Sequence, residues 1–363
     1  MLRNGVTGMN KVVLLAPTPP PASGIASWTM RMLQCGLGDH WQPVVVDEKA
    51  IGNRGVFRGK RRNLLDEMKR TRKIWADLRK ALKDPEVRVV QSCIAPSTMG
   101  MMREYVCMKM AKHAHKQYIV HYRSTLPNYI TDGLNRLVFE KLSKAADMVF
   151  VLNGPSAQMI ERVVGKKYKL IPNFIENRAI RTAPKTIHEQ IRTVTYIGGV
   201  TAVKGCDVII QTAAKWPDMT FRLVGEVADA LSREHMPSNV ILTGSKSRDA
   251  VAEELEVADV FLFLSRFKGE GFSNALVEAM AAGLPCIVTD WAANADMVID
   301  GECGIVLQEG TPENLSAALE HMSEASVRTR MSRQCIDRVR REYSQDCVLQ
   351  QYVDAYEELI AKG

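Results

Sequence analysis

The chain of 363 residues lacks several features that would assign it to other classes of protein. Its eight cysteines include no C-x-x-C pair, and several fall in strand or helix patterns, as small apolar residues do in a reducing compartment. No uncharged run approaches the roughly 18 residues needed to span a bilayer, and the first residues do not have the order of a signal peptide. We therefore expect a cytoplasmic protein.

Two catalytic signatures are also missing. Without a G-x-x-x-x-G-K-[ST] loop, phosphoryl transfer has no phosphate cradle, and without a G-x-S-x-G elbow an α/β-hydrolase is excluded. His113 and His115 are two residues apart on a predicted helix, so they point to different faces and make a poor metal pair. No metal site is predicted.

What is present indicates an ordinary globular protein with one unusual segment. Apolar residues make up 46% and charged residues 25%, and a chain of this length most naturally forms two domains. The net charge of +7 is unevenly placed, because basic residues concentrate between residues 54 and 83: Arg54, Arg58, Lys60, Arg61, Arg62, Lys69, Arg70, Arg72, Lys73, Arg79, Lys80 and Lys83.

Apolar residues fall at roughly helical spacing within this basic segment, among them Ile74, Trp75 and Leu78. The pattern predicts a basic amphipathic helix. Such a helix either docks its apolar face on the core of its domain or lies on an anionic membrane surface. Nucleic acid is a third and weaker alternative, because aromatic residues for base stacking are sparse.

Short apolar strands alternate with helical stretches along the whole chain, which predicts parallel βαβ units. The predicted strands cover residues 11–16, 43–47, 87–91, 117–121, 145–153 and 169–172 in a first series, and 192–198, 220–225, 240–244, 260–264, 286–289 and 304–307 in a second. The polar stretch 177–190 separates the two series. We expect two doubly wound α/β domains, with ligands bound at the carboxyl ends of the strands in a cleft between them.

Residues 265–283 carry the clearest chemical pattern. The apolar run 260–264 leads into a Gly-Glu-Gly-Phe loop, and Ser273 is a plausible N-cap for a helix over 275–282 that stops at Gly283. A helix N-terminus favours an anion, while Glu270 in the loop and Glu278 in the helix can accept hydrogen bonds from sugar hydroxyls. The pattern suits a ligand that carries both phosphate and sugar.

This stretch resembles the Glu-x7-Glu signature of the retaining GT-B-fold glycosyltransferases of family 4, the glycosyl transferases group 1. The resemblance includes Gly271-Phe272, Glu278-Ala279-Met280-Ala281, Gly283-Leu284-Pro285 and the strand 286–289. It extends over nearly the whole chain and is looser before residue 192. Segment 171–176, Ile-Pro-Asn-Phe-Ile-Glu, matches a family hinge segment and is interpreted as an architectural marker.

Further positions match this family one by one. The turn around Gly199 ends in Lys204, which corresponds to the family's phosphate-binding lysine, but Gly199 stands where the family usually has arginine. Arg266 or Lys268 could supply the missing charge. Other matches are Gly24 in a loop facing the transferred phosphate, His121 at a strand end in the cleft with Arg123 near it, Ser245 in the loop that holds the base, and Asp296 in place of a glutamate.

The resemblance implies two Rossmann-like domains, residues 1–178 on the acceptor side and 179–345 on the nucleotide-sugar donor side, with a helix over 346–363 crossing back to the first. It implies Glu270, Lys204 and His121 as catalytic residues. The donor-binding residues it implies are Gly24, Gly199, Lys204, Ser245, Glu270, Gly271, Phe272, Ser273 and Glu278.

The implied activity is metal-independent, retaining transfer of a sugar from a nucleotide-diphosphate-sugar to an acceptor hydroxyl. Metal and cofactor are expected to be absent, because the nucleotide-sugar is a co-substrate and no Asp-x-Asp metal clamp occurs. The expected acceptor is a glycan or lipid-linked glycan of bacterial surface polysaccharide or lipopolysaccharide, with peripheral contact at the inner face of the cell membrane and no nucleic-acid partner. Two alternatives stay open: a GT-B sugar-nucleotide epimerase, and a degenerate transferase that serves as a binding or scaffold subunit.

Overall fold

The computed structural model describes residues 9–20, 23–49, 64–165, 168–228, 231 and 236–362. The chain divides into two compact units, the first made of residues 1–172 and 348–363 and the second of residues 173–347. The sequence-based boundaries at 178 and 345 differ from these divisions by a few residues, because the segment 173–178 packs within the second unit.

The first unit is built on a parallel sheet of six strands in the order β2-β1-β3-β4-β5-β6. The strands are β1 (Asn10–Ala16), β2 (Trp41–Asp47), β3 (Val87–Ile94), β4 (Gln117–Tyr122), β5 (Met148–Val151) and β6 (Tyr168–Leu170). The helices among its described residues are α1 (Gly24–Cys35), α2 (Leu64–Ala81), α3 (Thr98–His113), α4 (Leu134–Ala145) and α5 (Gly154–Met159). Strands buried on both faces, such as Val12 to Ala16, explain the continuous apolar runs of the sequence.

The second unit has a parallel six-stranded sheet in the order β12-β11-β10-β7-β8-β9. Its strands are β7 (Thr193–Ile197), β8 (Thr220–Val224), β9 (Val240–Gly244), β10 (Val260–Phe263), β11 (Cys286–Thr289) and β12 (Gly304–Leu307). Its helices among the described residues are α6 (Cys206–Ala213), α7 (Arg248–Val257), α8 (Asn274–Ala281), α9 (Asn294–Met297), α10 (Pro312–His321) and α11 (Ala325–Arg338), and α12 (Gln345–Lys362) follows. This strand order is the doubly wound order of dinucleotide-binding folds.

The predicted fold class, two doubly wound parallel sheets, is confirmed, and each predicted strand coincides with an observed one. One prediction was too long. The expected strand over 145–153 is reduced to β5, because Ala145 ends α4 and Asn153 caps α5, its side chain accepting a hydrogen bond from Ser156 N at 3.0 Å. A short apolar run between two helices can supply both helix ends as well as the strand.

The last helix, α12, is fixed in the first unit by three polar contacts over its final turns. Trp41 donates its indole N–H to Glu357 at 2.5 Å, Tyr356 donates its hydroxyl to Gln91 at 2.7 Å, and Lys169 forms an ion pair with Glu358 at 2.7 Å. These three partners lie in β2, β3 and β6, so residues 348–363 belong to the first unit.

The basic segment is described from Leu64 onward, and its residues Arg54, Arg58, Lys60, Arg61 and Arg62 lie outside the described residues. In α2, Ile74 and Leu78 are buried against the core, as expected for a docked amphipathic helix, whereas Leu65 and Met68 are 64% and 48% exposed. In the part of the chain that the structure describes, no helix is both long and apolar enough to cross a membrane.

Candidate functional site

The candidate site of the second unit lies where its strand order reverses. β7 and β10 are neighbours in the sheet but not in sequence. From β7 the chain continues to β8 on one side of this pair, and from β10 it continues to β11 on the other side. Open α/β sheets bind ligands at such a point. The segment 198–205 follows β7, and the segment 264–273 follows β10, so the topology brings the two predicted donor-binding segments together.

A glycine fixes the approach of these two segments. Ala202–Lys204 forms a single 3₁₀ turn that ends at Gly205 in the left-handed region, with φ of 80°. A Cβ at Gly205 would collide with the carbonyl oxygen of Leu264, the residue that follows β10. Only glycine fits both the dihedral angle and the space. The Lys-Gly pair of the sequence therefore presents Lys204 at the loop that carries Glu270.

Lys204 and Glu270 form a bidentate ion pair, although 66 residues separate them in sequence. The ammonium Nζ lies 3.0 Å from Oε1 and 2.6 Å from Oε2 of Glu270. The side chains are 20% and 11% exposed, so the pair is shielded from solvent but still reachable. An ammonium has three N–H donors. Lys204 can therefore hold Glu270 and still donate to a phosphate oxygen.

An aromatic ring that sequence reasoning missed completes this cluster. Lys204 Nζ lies 4.6 Å from the centre of the Phe267 ring, and Phe267 is 41% exposed. Trp291, after β11, donates its indole N–H to the carbonyl oxygen of Phe267 at 2.8 Å. The Ser-Arg-Phe-Lys spacing before Glu270 was the one available signal for Phe267.

The loop after Glu270 is anchored rather than open. Ser273 caps α8, as predicted, by accepting a hydrogen bond from Leu276 N at 3.2 Å. Phe272 is buried and packs edge-on against Tyr343, with ring centres 5.4 Å apart. Asn173, which sequence reasoning treated as an architectural marker, donates to Asn274 Oδ1 at 3.0 Å. Its amide thereby ties the hinge segment to the start of α8.

The other predicted donor-binding positions of this unit are spread along the carboxyl edge of the sheet. Glu278 is half-buried in the second turn of α8, and the carbonyl of Gly199 accepts the hydroxyl of buried Tyr196 at 3.0 Å. Ser245 is exposed after β9, two strands from β7, which places it roughly 10 Å along the edge from the Lys204–Glu270 pair. The two ends of an extended ligand could be held at this separation.

The suggestion that Arg266 replaces the arginine absent at Gly199 is not supported by its contacts. Arg266 Nη2 donates to the carbonyl of Ala202 at 2.9 Å and to both carboxylate oxygens of Asp207 at 3.1 and 3.2 Å. It therefore braces the turn that carries Lys204. Lys268 is exposed in the loop and also has a partner, so neither side chain is positioned as a free cation for a ligand.

Gly24 and His121 belong to the first unit. Gly24 is exposed at the first turn of α1, where a Cβ would meet no atom within 4 Å, and backbone there is accessible to a ligand. Ser23 caps that helix by accepting a hydrogen bond from Ala26 N at 3.1 Å. The position of Gly24 after β1, at the edge where β1 and β3 adjoin, is the switch point of this sheet.

His121 is fully buried, unlike the accessible group that a direct catalytic role requires. Its Nδ1 lies 3.3 Å from Gln91 Nε2 and its Nε2 lies 3.2 Å from Arg123 Nη1, so both ring nitrogens are engaged. Burial, and secondarily the Arg123 charge, holds the pKa of His121 well below its ordinary value. The neutral ring packs against Trp28, Phe150 and Tyr352. This geometry favours the structural alternative; Arg123, stacked on Trp28 at 4.4 Å, belongs to the same cluster.

No group of three or more His, Cys, Asp or Glu side chains that could hold a metal ion occurs within the described ranges. All eight cysteines are free thiols, and six of them are buried.

Asp296 is exposed, and its carbonyl oxygen accepts hydrogen bonds from Arg338 at 2.7 Å and from the Tyr343 hydroxyl at 3.1 Å. Through these hydrogen bonds the backbone of Asp296 helps to stabilise the fold of the second unit.

Comparison with known sequences gives a consistent result for the second unit. The family described as Glycosyl transferases group 1 matches residues 191–325. N-acetyl-alpha-D-glucosaminyl L-malate synthase of Bacillus anthracis is 24% identical over 212 residues, which is 54% of this chain and 55% of that protein. Alpha-galactosylglucosyldiacylglycerol synthase of Streptococcus pneumoniae is 25% identical over 263 residues, 66% of this chain and 68% of that protein. The chain thus spans only about half the length of the first of these relatives.

Solved structures establish the fold over nearly the whole chain. The Anabaena protein HepE in complex with UDP superposes with a TM-score of 0.72 at 14% identity, covering 96% of this chain and 100% of that one. The resemblance deduced from Glu270, Glu278 and the flanking motifs is confirmed by the family match and by this fold. Residues 191–325 match the model of the glycosyl transferases group 1, and the chain has the GT-B fold of glycosyltransferases.

Proposed function

We propose that the protein is a metal-independent, retaining glycosyltransferase that moves a sugar from a nucleoside-diphosphate sugar to an acceptor hydroxyl. The observation that carries the proposal is the Lys204–Glu270 pair at the switch point of the second sheet. It combines a cation for a diphosphate with a carboxylate for sugar hydroxyls, at the place where a doubly wound sheet binds nucleotides. The family match over residues 191–325 supports the same reaction class.

In this reaction, the bond between the anomeric carbon and the β-phosphate oxygen breaks, and a new bond forms from that carbon to the acceptor oxygen. The acceptor proton passes to the leaving phosphate on the same face of the sugar, so no protein base is needed. Lys204 stabilises the charge that develops on the diphosphate, and the loop 271–273 adds backbone dipoles at the start of α8. His121, being neutral and buried, has a packing role in the aromatic core of the first unit.

Glu270 and Glu278 have separate tasks in the proposed complex. Glu270, held by Lys204, accepts hydrogen bonds from the donor sugar, and Glu278, half-buried in α8, accepts those of the ribose diol. They contact opposite ends of one ligand, whereas a hydrolytic pair would flank one bond. A Glu278→Ala protein that still prefers UDP over 2′,3′-dideoxy-UDP would contradict the ribose assignment.

The acceptor side of the proposal is a glycan or lipid-linked glycan in bacterial surface polysaccharide or lipopolysaccharide synthesis. A relative named for a diacylglycerol glycolipid supports a lipid-bearing acceptor, and the basic residues of α2 support contact with an anionic membrane at its inner face. Charge reversal of the exposed Arg72 and Lys73 is expected to weaken binding to vesicles that contain anionic lipid. Binding that is unchanged would rule out this membrane contact.

The first test is a thermal-shift screen of the pure protein against UDP, GDP, ADP, CMP and their common sugar conjugates, with EDTA present. A ligand of the native state stabilises by mass action, by about 2.7 kcal/mol at a hundredfold excess over Kd. A clear shift with one nucleotide supports the proposal and identifies the donor base. No shift with any nucleotide would contradict it.

Gly199 motivates the second candidate, a GT-B subunit that binds a partner or ligand and transfers nothing. Where the family uses arginine, Gly199 leaves the diphosphate to Lys204, and Arg266 is already held by Asp207. An acceptor-dependent release of UDP distinguishes the transferase from this subunit. Release or conversion of the UDP-sugar with no acceptor present would instead indicate the epimerase alternative.

A further inference from the structure

The first unit contains a large cavity that the proposed donor site does not use. It has a volume of about 740 Å³, within the range of pockets that bind small molecules. Apolar atoms form most of its lining, which includes Ile25 of α1, Trp75 of α2 and Ile94 at the end of β3. A cavity of this size and composition calls for an apolar occupant.

The cavity lies where a doubly wound sheet binds ligands. Its lining comes from the carboxyl ends of β1, β2 and β3, represented by Pro17, Glu48 and Cys93, and from α2 and the first turns of α3. In the strand order of this sheet, the reversal falls between β1 and β3. The cavity therefore occupies the switch point of the first sheet, as the Lys204–Glu270 pair occupies that of the second.

The charged groups at the base of the cavity are already paired with one another. Glu48 Oε1 lies 2.8 Å from Arg103 Nη2, and Arg103 Nε donates to Glu104 at 2.9 Å. Arg70 Nε donates to the backbone carbonyl of Glu48 at 2.8 Å, and its Nη1 bonds Glu67 at 3.2 Å. Glu48, Arg103 and Glu104 are nearly or completely buried. These contacts fix α2 and α3 to the end of β2.

Two buried polar atoms of the cavity lining, Glu48 Oε1 and Trp75 Nε1, have no hydrogen bond of good geometry. Glu48 Oε1 is close enough to Arg103 Nη2 for an ion pair, but the two groups do not form a hydrogen bond of good geometry. Burial and the nearby Glu104 carboxylate raise the pKa of Glu48 well above its ordinary value. A sugar ring would need many hydrogen-bonding partners in the cavity, whereas an apolar chain with one polar group would need only one or two. The lining matches the second kind of ligand.

The mouth of the cavity combines exposed apolar side chains with positive charge. Met68 and Met99 line it and are 48% and 67% exposed, and methionine adapts readily to flexible apolar partners. Arg72 also lines it and is exposed, on a helix whose basic residues (Lys69, Arg70, Arg72, Lys73, Arg79 and Lys80) outnumber its acidic ones (Asp66, Glu67 and Asp77). An anionic group at the mouth would be attracted to this helix.

We propose that the cavity binds the apolar chain of an amphiphilic acceptor whose phosphate group lies at its mouth beside Arg72. This assignment rests on the proposed transferase function, because it supplies the substrate that receives the sugar. It specifies the acceptor as a lipid phosphate or lipid-linked glycan and excludes a free soluble sugar. The chain would be held in the first unit, by residues different from those that bind the nucleotide.

The test measures binding of decyl phosphate, below its aggregation concentration, to the full-length protein by titration calorimetry. Two cavity-filling variants, Thr71→Trp and Ala95→Trp, are compared with Ala76→Trp, which adds the same side chain at an exposed position of α2 outside the cavity. The cavity variants should bind decyl phosphate at least about tenfold more weakly, the effect of losing roughly two buried methylene groups. Ala76→Trp should bind like the unmodified protein.

Several outcomes would overturn the inference. The protein could fail to bind decyl phosphate, or it could bind inorganic phosphate as tightly as decyl phosphate. Alternatively, all the variants could have unchanged thermal stability and bind decyl phosphate with equal affinity. Nucleotide binding is measured in the same preparations, and separates the two proposals. If the unmodified protein binds a nucleotide but not decyl phosphate, the cavity assignment alone is overturned. If no nucleotide stabilises the unmodified protein, the transferase proposal is overturned.

Discussion

The contacts of Lys204 predict how its substitution changes the affinity for a nucleotide. Its ammonium is shared between Glu270 and the proposed diphosphate, so Lys204→Ala removes a charge-assisted contact and leaves Glu270 without its cation. We expect the affinity for the nucleoside diphosphate to fall by about ten- to a hundredfold, since hydrogen bonds to charged groups contribute roughly 1.5–3 kcal/mol. Isothermal titration with the nucleotide identified by thermal shift measures this.

The matched control for that change is Lys215→Ala. Lys215 also belongs to the second unit, and its ion pair with Glu313 is exposed, with side chains 51% and 72% accessible. Exposed pairs contribute little to stability, so this variant should bind nucleotide normally. If both lysine variants bound as tightly as the unmodified protein, Lys204 would have no part in donor binding.

His121 leads to a prediction about stability and pH. Its pKa is depressed in the folded state, chiefly by burial, so below pH 6.5 the unfolded chain binds a proton that the folded chain refuses. The free energy of unfolding therefore decreases as pH falls below 6.5, and His121 accounts for up to about 1.4 kcal/mol of this decrease per pH unit. The difference in unfolding free energy between the unmodified protein and His121→Gln should shrink between pH 7 and pH 5 in urea titrations.

The same variant separates a structural histidine from a catalytic one. A neutral, buried imidazole changes no charge in the working range, so the pH profile of sugar transfer should keep its shape in His121→Gln. A profile that lost one limb in this variant would show that His121 exchanges a proton with the substrate. The match of His121 to a family position predicted its place at the end of β4 but gave no measure of its burial.

At the scale of elements, Glu254 joins three parts of the second unit. It lies on α7, accepts from Arg222 of β8 at 2.6 and 2.8 Å, and pairs with Lys246 of the loop after β9 at 2.7 Å. The Arg222 hydrogen bonds, followed by that of Lys246, lower the pKa of Glu254 to about 2. Because Lys246 adjoins Ser245, this cluster also positions the loop predicted to hold the nucleotide base.

Glu254→Gln is expected to destabilise the protein by about 1–2 kcal/mol at pH 7, a value reduced for partial solvent screening. The folded-state pKa lies below the unfolded one, so the contribution is present above pH 4.5 and is lost as pH falls toward 2. Urea titrations at pH 7 and pH 3 should show the difference between variant and unmodified protein decreasing. Glu253→Gln, at an exposed position of the same helix, is the control and should cost little at either pH.

How much of each element the sequence could predict depends on whether the determining interaction is local. β7 to β12 and α8 were predictable, because apolar runs, Ser273 as a cap and Gly283 as a stop are local signals. The Lys204–Glu270 pair was predictable as two separate residues only, since 66 positions separate them and their contact depends on strand order. The cavity beside α2 was not predictable, because its walls meet through Glu48 and Arg103, which have no shared pattern.

At the scale of the molecule, the last 16 residues belong to the first unit although they are last in sequence. Tyr352 of α12 is completely buried and lies within 6.1 Å, centre to centre, of the rings of Trp28, His121 and Phe150. The aromatic core of the first unit is thus assembled from residues that are more than 320 positions apart, as Trp28 and Tyr352 show. This core therefore forms only once α12 packs on the first unit, because α12 supplies Tyr352.

Tyr352→Ala should therefore destabilise the first unit by about 3–5 kcal/mol, the usual cost of removing a buried aromatic side chain. Hydrogen exchange should show faster exchange in β3, β4 and α1, while the second unit keeps its protection and its nucleotide-induced shift. Gln350→Ala, at an exposed position of the same helix, is the control and should leave exchange unchanged. Faster exchange confined to β7–β12 would mean that α12 supports the second unit, contrary to the packing of Tyr352 against Trp28 and Phe150.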